Sequence, residues 1–246
     1  MMKVFGLIGK NIDYSFSRTY FNQKFSSEKI DATYKNFDLS EISKFPKLII
    51  ENPAVKGFNV TIPFKEAIIP FLDEVEITAK EIGAVNTIKI KPDGNLIGYN
   101  TDYFGFSEAL KPYLKPYHTK ALILGTGGAS KAVAYALKNL GIDVIYVSRT
   151  KSAHNFIYSE LTSEIMEEYY LIINCTPLGT FPNIEHHPPI PTEFLTPKHL
   201  VFDLIYNPAH TKLMKLALDQ NAEVTNGLAM LESQAEKAWE IWNQKF

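Results

Sequence analysis

Ala121 to Leu137 reads ALILGTGGASKAVAYAL: an apolar strand runs into Gly125-Thr126-Gly127-Gly128-Ala129-Ser130 and then into a helix. A strand-to-helix turn of this kind lets backbone N–H groups and a helix N-terminus face a pyrophosphate, because no Cβ blocks the approach at the glycines. The sixth position, usually Gly or Ala in such turns, is Ser130, still small enough to keep helix and strand close. A Gly-rich turn needed only for tight packing is the bland alternative. The strand before and the helix after favour dinucleotide binding, with Gly125, Thr126, Gly127, Gly128 and Ala129 lining the cofactor.

The next strand, DVIYVSRT, bears on which dinucleotide. Folds that prefer the unphosphorylated cofactor carry Asp or Glu roughly 20 residues after the first glycine, to hold the ribose 2′-hydroxyl. Here that place carries Ser148, Arg149, Thr150 and Lys151. A guanidinium and an ammonium attract a 2′-phosphate that a carboxylate would repel, which points to NADP rather than NAD. A solvated Arg-Thr-Lys at a strand end is the alternative.

Working outward, the chain changes rhythm near residue 102. Before it come VFGLIG (Val4 to Gly9), a helix from about Ser17 to Lys29, TYKNF, GFNVT, a helix opening at Pro63, and a hairpin joining AVNTIKI to NLIGYN across Pro92-Asp93-Gly94. After it come a helix from about Asp102 to Leu114, then ALILG, DVIYVS, LIINC and LVFDLIY. Those later runs are continuously apolar, as parallel strands covered on both faces by helices should be. The fold class expected is therefore α/β with two domains: an N-terminal α/β substrate domain of residues 1–101 and a Rossmann-like, doubly wound nucleotide domain of residues 102–225. The stretch 152–169 is short for a complete helix, strand and helix. Leu228, Leu231, Ala235, Ala238 and Trp242 form one stripe of a last amphipathic helix, which we assign, as residues 226–246, to the first domain.

Composition narrows the function classes. The 246 residues are 46% hydrophobic and 21% charged, with 25 basic against 27 acidic side chains and a formal charge of −2, so no basic field recruits nucleic acid or an anionic membrane. A single cysteine, Cys175, can form neither an internal disulfide nor a thiolate metal cluster, and it reads as a small buried residue rather than a nucleophile. No apolar run approaches the roughly 20 residues that cross a bilayer. The start MMKVFGLIGK is too short for a secretory signal, so the expected compartment is cytoplasmic. His186 and His187 lie before Pro188-Pro189 without a carboxylate or thiolate at ligand spacing, so no metal is expected. Monomer and homodimer both suit this composition.

In the first domain, GFNVTIPFKEA carries Asn59 and Thr61 two apart on a strand, hence on one face, with Lys65 about a turn into the helix expected at Pro63. An ammonium near a helix N-terminus would feel an unfavourable dipole that suits it to proton transfer. GAVNT adds Asn86, and GYNTD adds Asn100 and Asp102, the last equally suited to cap the following helix. Ser15 and Ser17 would either cap the first helix or accept a small carboxylate.

In order and spacing, these segments resemble the shikimate dehydrogenase family over nearly the whole chain. They are Ser15-Phe16-Ser17, Asn59 to Lys65, Gly83 to Thr87, Asn100-Thr101-Asp102, the glycine turn, Asn174 to Gly179, Asp203 to Pro208 with Thr211, and Asn226-Gly227-Leu228 through Gln234-Ala235. The resemblance implies NADPH-dependent reduction of 3-dehydroshikimate to shikimate, on the route to aromatic amino acids and chorismate. It implies that Lys65 and Asp102 are the catalytic pair. Ser15 and Ser17 would bind the substrate carboxylate with help from Tyr206, Thr61, Asn86 and Gln234 would hold the ring hydroxyls with Asp102, and Asn59 is read as a further substrate-binding residue. Ser148, Arg149, Thr150, Thr176, Leu204 and Gly227 would line the cofactor, with Met230 near the nicotinamide.

The sequence departs from the family's pattern where Tyr14 and Arg18 stand for the usual His and Pro, and where Ser148 stands for Asn. The second basic residue expected a few positions after Arg149 is absent, the neighbourhood reading Ser152-Ala153-His154, which leaves Lys151 as its substitute. The rival readings are a quinate-oxidising relative with relaxed substrate or NAD use, and a non-catalytic NADP-binding sensor. A folate-type or tRNA-linked dehydrogenase sharing the cofactor domain is disfavoured by the paired serines and Asn-Val-Thr.

Overall fold

A computed structural model describes every residue except Met1, Tyr14, Lys245 and Phe246. Tyr14, one of the departures noted above, thus lies outside the described residues. The chain divides into two compact units, Met1–Thr101 with Gln234–Phe246, and Asp102–Ser233. The second boundary falls inside the last helix, later than the residue 226 suggested by the sequence.

The first unit is built on a mixed sheet of β1 (Lys3–Gly9), β2 (Ala32–Asp38), β3 (Val55–Val60), β4 (Glu74–Val75), β5 (Thr87–Ile90) and β6 (Leu96–Tyr99), in the order β2-β1-β3-β5-β6-β4. β1 runs parallel to β2 and β3, and β5 pairs antiparallel with both β3 and β6. The expected hairpin forms. Lys91 and Asn95 close its loop, Asp93 accepts from the Asn95 N–H at 3.0 Å, and Gly94 takes φ 94, a left-handed conformation that favours glycine.

Helices α1 (Phe16–Ser27), α2 (Phe45–Glu51) and α3 (Ile77–Ile82) complete the unit. Ser15 caps α1, its hydroxyl accepting from the Arg18 N–H at 3.3 Å. The helix expected at Pro63 does not form. Residues 62–68 are hydrogen-bonded turns after a cis Ile62–Pro63 bond, and a 3-10 helix, Ile69–Phe71, follows. Pro70 disfavours the α conformation at Ile69, so the stretch between the two prolines is too short to sustain a helix.

Alternate strand residues feed clusters on opposite faces of this sheet. Ile8, Phe58, Val60 and Ile88 pack on one side with Phe45, Leu48 and Ile68. Phe5 and Leu7 pack on the other with Phe21 and Phe25 of α1, Tyr34 of β2, and Ala235, Ala238 and Trp242. The last three belong to helix α8 (Leu228–Asn243). Trp242 donates its indole N–H to the Ile88 carbonyl at 3.0 Å and stacks on Phe5. A Cβ on Gly57 would overlap that indole, so glycine is what admits the ring. Lys24 and the Tyr20 hydroxyl both reach Glu236, and the buried Lys89 ammonium donates to the Gln244 carbonyl at 2.6 Å. Leu228, counted in the apolar stripe from the sequence, is exposed, whereas Met230 is buried.

The second unit is a six-stranded parallel sheet of β7 (Lys120–Leu124), β8 (Asp143–Ser148), β9 (Asn155–Ile157), β10 (Leu171–Asn174), β11 (Leu200–Asp203) and β12 (Glu223–Asn226), in the order β12-β11-β10-β7-β8-β9. All its pairings are parallel. Ala121 and Ile123 point into the cluster with α4 (Asp102–Leu110) and α5 (Gly128–Asn139), while Leu122 and Leu124 point into the cluster with Met166 of α6 (Ser163–Glu168) and Leu213 of α7 (Lys212–Asp219). Both faces are buried, which explains the unbroken apolar runs. The sequence missed β9 and β12, each short and polar enough to pass as loop. Residues 149–154 alone join β8 to β9, so the crossover helix usual between parallel strands is absent there.

Two buried histidines hold loops of this unit. His118 receives the Lys115 N–H on Nδ1 at 3.2 Å and sets Nε2 at 3.1 Å from the Lys198 carbonyl. His199 receives the Thr196 N–H at 2.9 Å and faces the Met166 carbonyl at 2.9 Å. Burial lowers the pKa of both imidazoles. A base depressed in this way contributes its full stability above its unfolded value of about 6.5, and the contribution drains away as pH falls below that. The melting temperature is therefore expected to fall between about pH 7 and pH 5, and to fall less steeply in His199→Gln. Equal slopes in a calorimetric pH series would exclude His199 from the acid transition.

Candidate functional site

In the second unit, the sheet order places β7 beside β10, and the chain winds outward from these two in opposite directions. Ligands of doubly wound sheets sit at the carboxyl ends of the strands at such a switch point. The glycine turn leaves β7 there. Gly125 has φ 94, a conformation that favours glycine, and its N–H bonds the Val147 carbonyl at 2.9 Å. Gly127 is the N-cap of α5, and a Cβ built there would meet nothing within 4 Å, so open space stands before the helix N-terminus. No acidic residue lies in the first turn of α5 to repel an anion. Ser130 is fully buried and donates to the Gly127 carbonyl at 2.7 Å, a bond that closes the turn. The turn thus fits a pyrophosphate, with Thr126 and Ala129 on either side of the glycine pair.

The loops after β10 and β11 are braced by a buried polar knot. The Asn174 amide donates to Asp203 at 3.0 Å and accepts from the Thr176 N–H and hydroxyl at 3.0 and 2.7 Å. Asp203 also accepts from the Thr211 hydroxyl at 2.7 Å and from the Ile205 N–H at 3.1 Å. Burial raises the Asp203 pKa against the pull of these donors. The knot fixes Thr176 and Leu204, and Gly227 closes against Leu204, since a Cβ there would overlap the Leu204 carbonyl. Met230 lies in the core cluster with Phe202, and Tyr206, half-buried, has its phenol pKa raised by burial. Burial, then the charge of Asp203, pushes the Cys175 thiol far above its ordinary range, so it is no nucleophile.

At the end of β8, Ser148 donates to the Thr150 carbonyl at 2.6 Å and accepts from Asn155 at 2.7 Å. The Asn155 amide also bonds the Thr150 carbonyl at 2.9 Å and takes both the N–H and the hydroxyl of Ser152. One buried side chain therefore organises the short loop where a crossover helix would otherwise stand. Arg149 and Thr150 are exposed. Lys151, expected to substitute for a missing base, is held instead by both Glu160 oxygens at 2.8 and 2.7 Å.

In the first unit, a buried array of amides and hydroxyls lies along the ends of β3, β5 and β6. Asn59, 4% exposed, accepts from the Tyr34 hydroxyl at 2.8 Å and donates to the Thr87 hydroxyl at 3.1 Å and to the Asn86 carbonyl at 3.4 Å. Its hydrogen-bonding capacity is used internally, so it positions neighbours. Asn86 accepts the Thr101 N–H at 2.7 Å and donates to the Thr101 hydroxyl at 3.0 Å and to Gln234 at 3.4 Å. Thr101 also donates to Gln234 at 3.3 Å. Ser17, half-buried on α1, shares a hydrogen bond with the Tyr34 hydroxyl. Lys65 is half-buried, and its carbonyl accepts the Val85 N–H at 2.7 Å, which ties the turn to the segment that carries Asn86 into β5. Since it sits among turns, the helix-dipole argument for Lys65 has no helix to act from. Thr61 is half-buried. Asp102 is the first helical residue of α4, buried at 6% exposure in the turn where the dipole favours a carboxylate.

Sequence reasoning missed Tyr34, Thr87 and Asn155. Tyr34 and Thr87 read as ordinary strand residues whose partner Asn59 lies 25 and 28 positions away, and Asn155 read as loop although it opens the unforeseen strand β9. Among the described residues, no group of three or more His, Cys, Asp or Glu side chains is placed to hold a metal, and no helix is long and apolar enough to cross a membrane.

A sheet wound in this order with an open glycine turn at its switch point defines the doubly wound dinucleotide-binding class. Residues 7–88 match the family described as shikimate dehydrogenase substrate binding domain. Shikimate dehydrogenase (NADP(+)) of Clostridium botulinum is 40% identical over 248 residues, covering 96% of this chain and 95% of the relative. The crystal structure of shikimate dehydrogenase from Aquifex aeolicus superposes with a TM-score of 0.88 at 36% identity, over 98% of this chain and 92% of that one. The Thermus thermophilus enzyme, solved with NADP(H) and shikimate, gives 0.87 at 31% identity over 98% and 94%. The chain belongs to the shikimate dehydrogenase family, whose members are oxidoreductases acting on a CH–OH group.

Asn59→Ala would remove the amide acceptor of the Tyr34 hydroxyl and the amide donor to Thr87. A loss of about 1–3 kcal/mol of unfolding free energy is expected by denaturant titration. An unchanged midpoint would mean that Asn59 is not part of the packing of the array.

Proposed function

We propose that the protein reduces 3-dehydroshikimate to shikimate with NADPH, as a step toward aromatic amino acids and chorismate, with residues 102–225 serving the cofactor and residues 1–101 with 226–246 serving the substrate. The observation that carries this reading is the buried array, in which Asn86, Thr101 and Gln234, from segments far apart in the chain, converge immediately before Asp102 in sequence. Amides and hydroxyls already exchanging hydrogen bonds with one another suit a ring bearing several hydroxyls, which replaces those bonds without leaving a buried group unpaired.

In this reading Ser15 and Ser17, with Tyr206, receive the substrate carboxylate, and Thr61, Asn86, Asp102 and Gln234 hold the ring hydroxyls. Asn59 keeps the array in register rather than touching the ligand. Gly125, Thr126, Gly127, Gly128 and Ala129 hold the pyrophosphate, Ser148, Arg149 and Thr150 the 2′-phosphate end, and Thr176, Leu204, Gly227 and Met230 the remainder. NADPH supplies the hydride when bound. The ketone oxygen becomes negative as the carbonyl carbon is reduced, and the Lys65 ammonium either gives it a proton or stabilises the charge. Asp102 orients both the lysine and the reacting hydroxyl. The relatives' NADP names and the absence of an acidic residue at 148–151 support NADP over NAD.

Oxidation of NADPH with 3-dehydroshikimate should be readily measured with the native protein. Loss of a positioned proton donor costs about 10²–10⁴-fold, so Lys65→Ala should lower kcat by that order while NADP binding persists. Full turnover in the variant would sink the assignment of Lys65. Turnover of quinate with NAD but not of shikimate with NADP would favour the quinate-oxidising alternative, and cofactor binding with neither reaction would favour a sensor.

A further inference from the structure

The end of β8 bounds a cavity of about 320 Å³ lined by Thr126, Tyr146, Ser148, Thr150, Lys151, Ser152, His154 and Asn155. Thr126 belongs to the glycine turn, so the cavity begins at the pyrophosphate position and extends past the strand end where an adenosine ribose lies in doubly wound folds. Two of its lining residues can carry positive charge. Lys151 is committed elsewhere: its ammonium meets both Glu160 oxygens and the Asn155 carbonyl, the last at 3.1 Å, and lies 5.8 Å from the Phe156 ring centroid. Glu160 is fixed in turn by the Ile157 N–H at 2.9 Å, and its pKa is lowered first by Lys151 and then by that N–H. To reach a phosphate in the cavity, Lys151 would have to leave a carboxylate that a backbone donor holds in place. Arg149 is exposed beside the cavity and does not line it.

His154 remains, and the chain path explains how it comes to be there. With no crossover helix between β8 and β9, the loop turns back at once, and Asn155 ties Ser148, Thr150 and Ser152 together beneath it. The N–H of His154 itself bonds the Ser152 hydroxyl at 3.4 Å. Of the charged and titratable groups, Lys151 of the same loop and Tyr146 of β8 line the cavity with it, Glu160 of the turn after β9 is bound to Lys151, and Arg149, exposed at the strand end, acts on Tyr158. Thr126 of the glycine turn adds no charge.

We propose that His154, paired with Arg149, supplies the second positive charge at the 2′-phosphate of NADP, and that discrimination against NAD is therefore stronger when the imidazole is protonated. The proposal rests on the cofactor reading given above. Histidine changes charge in the physiological pH range, so the preference strengthens as pH falls through neutrality. A phosphate monoester itself gains a proton near about pH 6, which works in the opposite direction. The difference between native protein and variant separates the two.

The test measures Kd for NADP+ and NAD+ by calorimetry, and kcat/KM for NADPH and NADH, between about pH 6.5 and pH 8.5. Taking the NADPH/NADH ratio cancels groups that act on the shared substrate. A partly exposed charge pair is worth up to about 1 kcal/mol, or roughly fivefold. His154→Gln should therefore lower the ratio about fivefold at the acid end and leave it unchanged at the alkaline end. His154→Lys should restore the ratio and remove its pH dependence, whereas Lys151→Met should change it by less than about twofold. Adding adenosine 2′,5′-bisphosphate should raise the titration midpoint of the His154 ring in NMR spectra of the native protein. A ratio indifferent to His154→Gln, a collapse in Lys151→Met, or an unmoved His154 titration would overturn the proposal. A native protein with no preference for NADP at any pH would instead overturn the cofactor reading on which it rests.

Discussion

Buried amides and hydroxyls must find partners, and in the first unit that requirement is met by one connected array. Asn59 takes its place between Tyr34 and Thr87, Asn86 between Thr101 and Gln234, and no member can shift without exposing another to an unpaired burial. Strand register is thereby coupled to the placement of polar groups. Asn59 pairs with Thr87 across β3 and β5, and Thr87 pairs with Tyr99 across β5 and β6, so the array is threaded through the sheet. Trp242 performs the apolar counterpart, inserting at Gly57 of β3 and bonding the Ile88 carbonyl of neighbouring β5. Polar array and aromatic wedge together join α8 to strands more than a hundred residues away.

The second unit follows a different rule. Its central strands are short and apolar on both faces, so the sheet is held by burial while the loops at its carboxyl edge are held by specific polar knots. Asp203 collects donors from Asn174, Thr211 and Ile205, and Asn155 collects Ser148, Thr150 and Ser152. Each knot sits directly beneath residues read as lining the cofactor. A rigid base under a short loop keeps side chains aimed without spending them on a ligand, which is the role of supporting contacts at binding sites generally.

Much of this was legible in the chain. The glycine turn, the four central parallel strands, the hairpin at Pro92-Asp93-Gly94 and the amphipathic last helix each have a local signature in period or turn chemistry, and each is present. What failed was also local in origin. Pro63 fits both a helix start and a turn, and only Pro70, seven positions on, tips the balance toward turns. Strands β9 and β12 carry Asn, Thr and Glu where apolar residues were sought, because edge strands need bury less. Leu228 shares the helical spacing of Ala235 and Trp242 yet is exposed, since the first turns of α8 belong to one compact unit and the rest to the other. Among the site residues, Asn59 and Asn86 were found by motif, but Tyr34 and Thr101 matter through partners that only the folded chain supplies. The ion pair of Lys151 was not foreseen because its counterion, Glu160, lies in an element that the sequence did not reveal.

The division of α8 has a consequence for biosynthesis. Phe5, Phe21 and Phe25 leave the ribosome some two hundred residues before the side chains that cover them, Ala235, Ala238 and Trp242. The leading segment must therefore wait, with aromatic surface uncovered, until translation of everything between is finished. The intervening unit carries its own cores, to which α8 contributes Met230 from its first turn. The order of maturation is thus inverted relative to the order of synthesis. Premature termination near the carboxyl end would release a chain whose middle is complete and whose beginning is not, a species prone to self-association through the very rings that the final helix exists to cover.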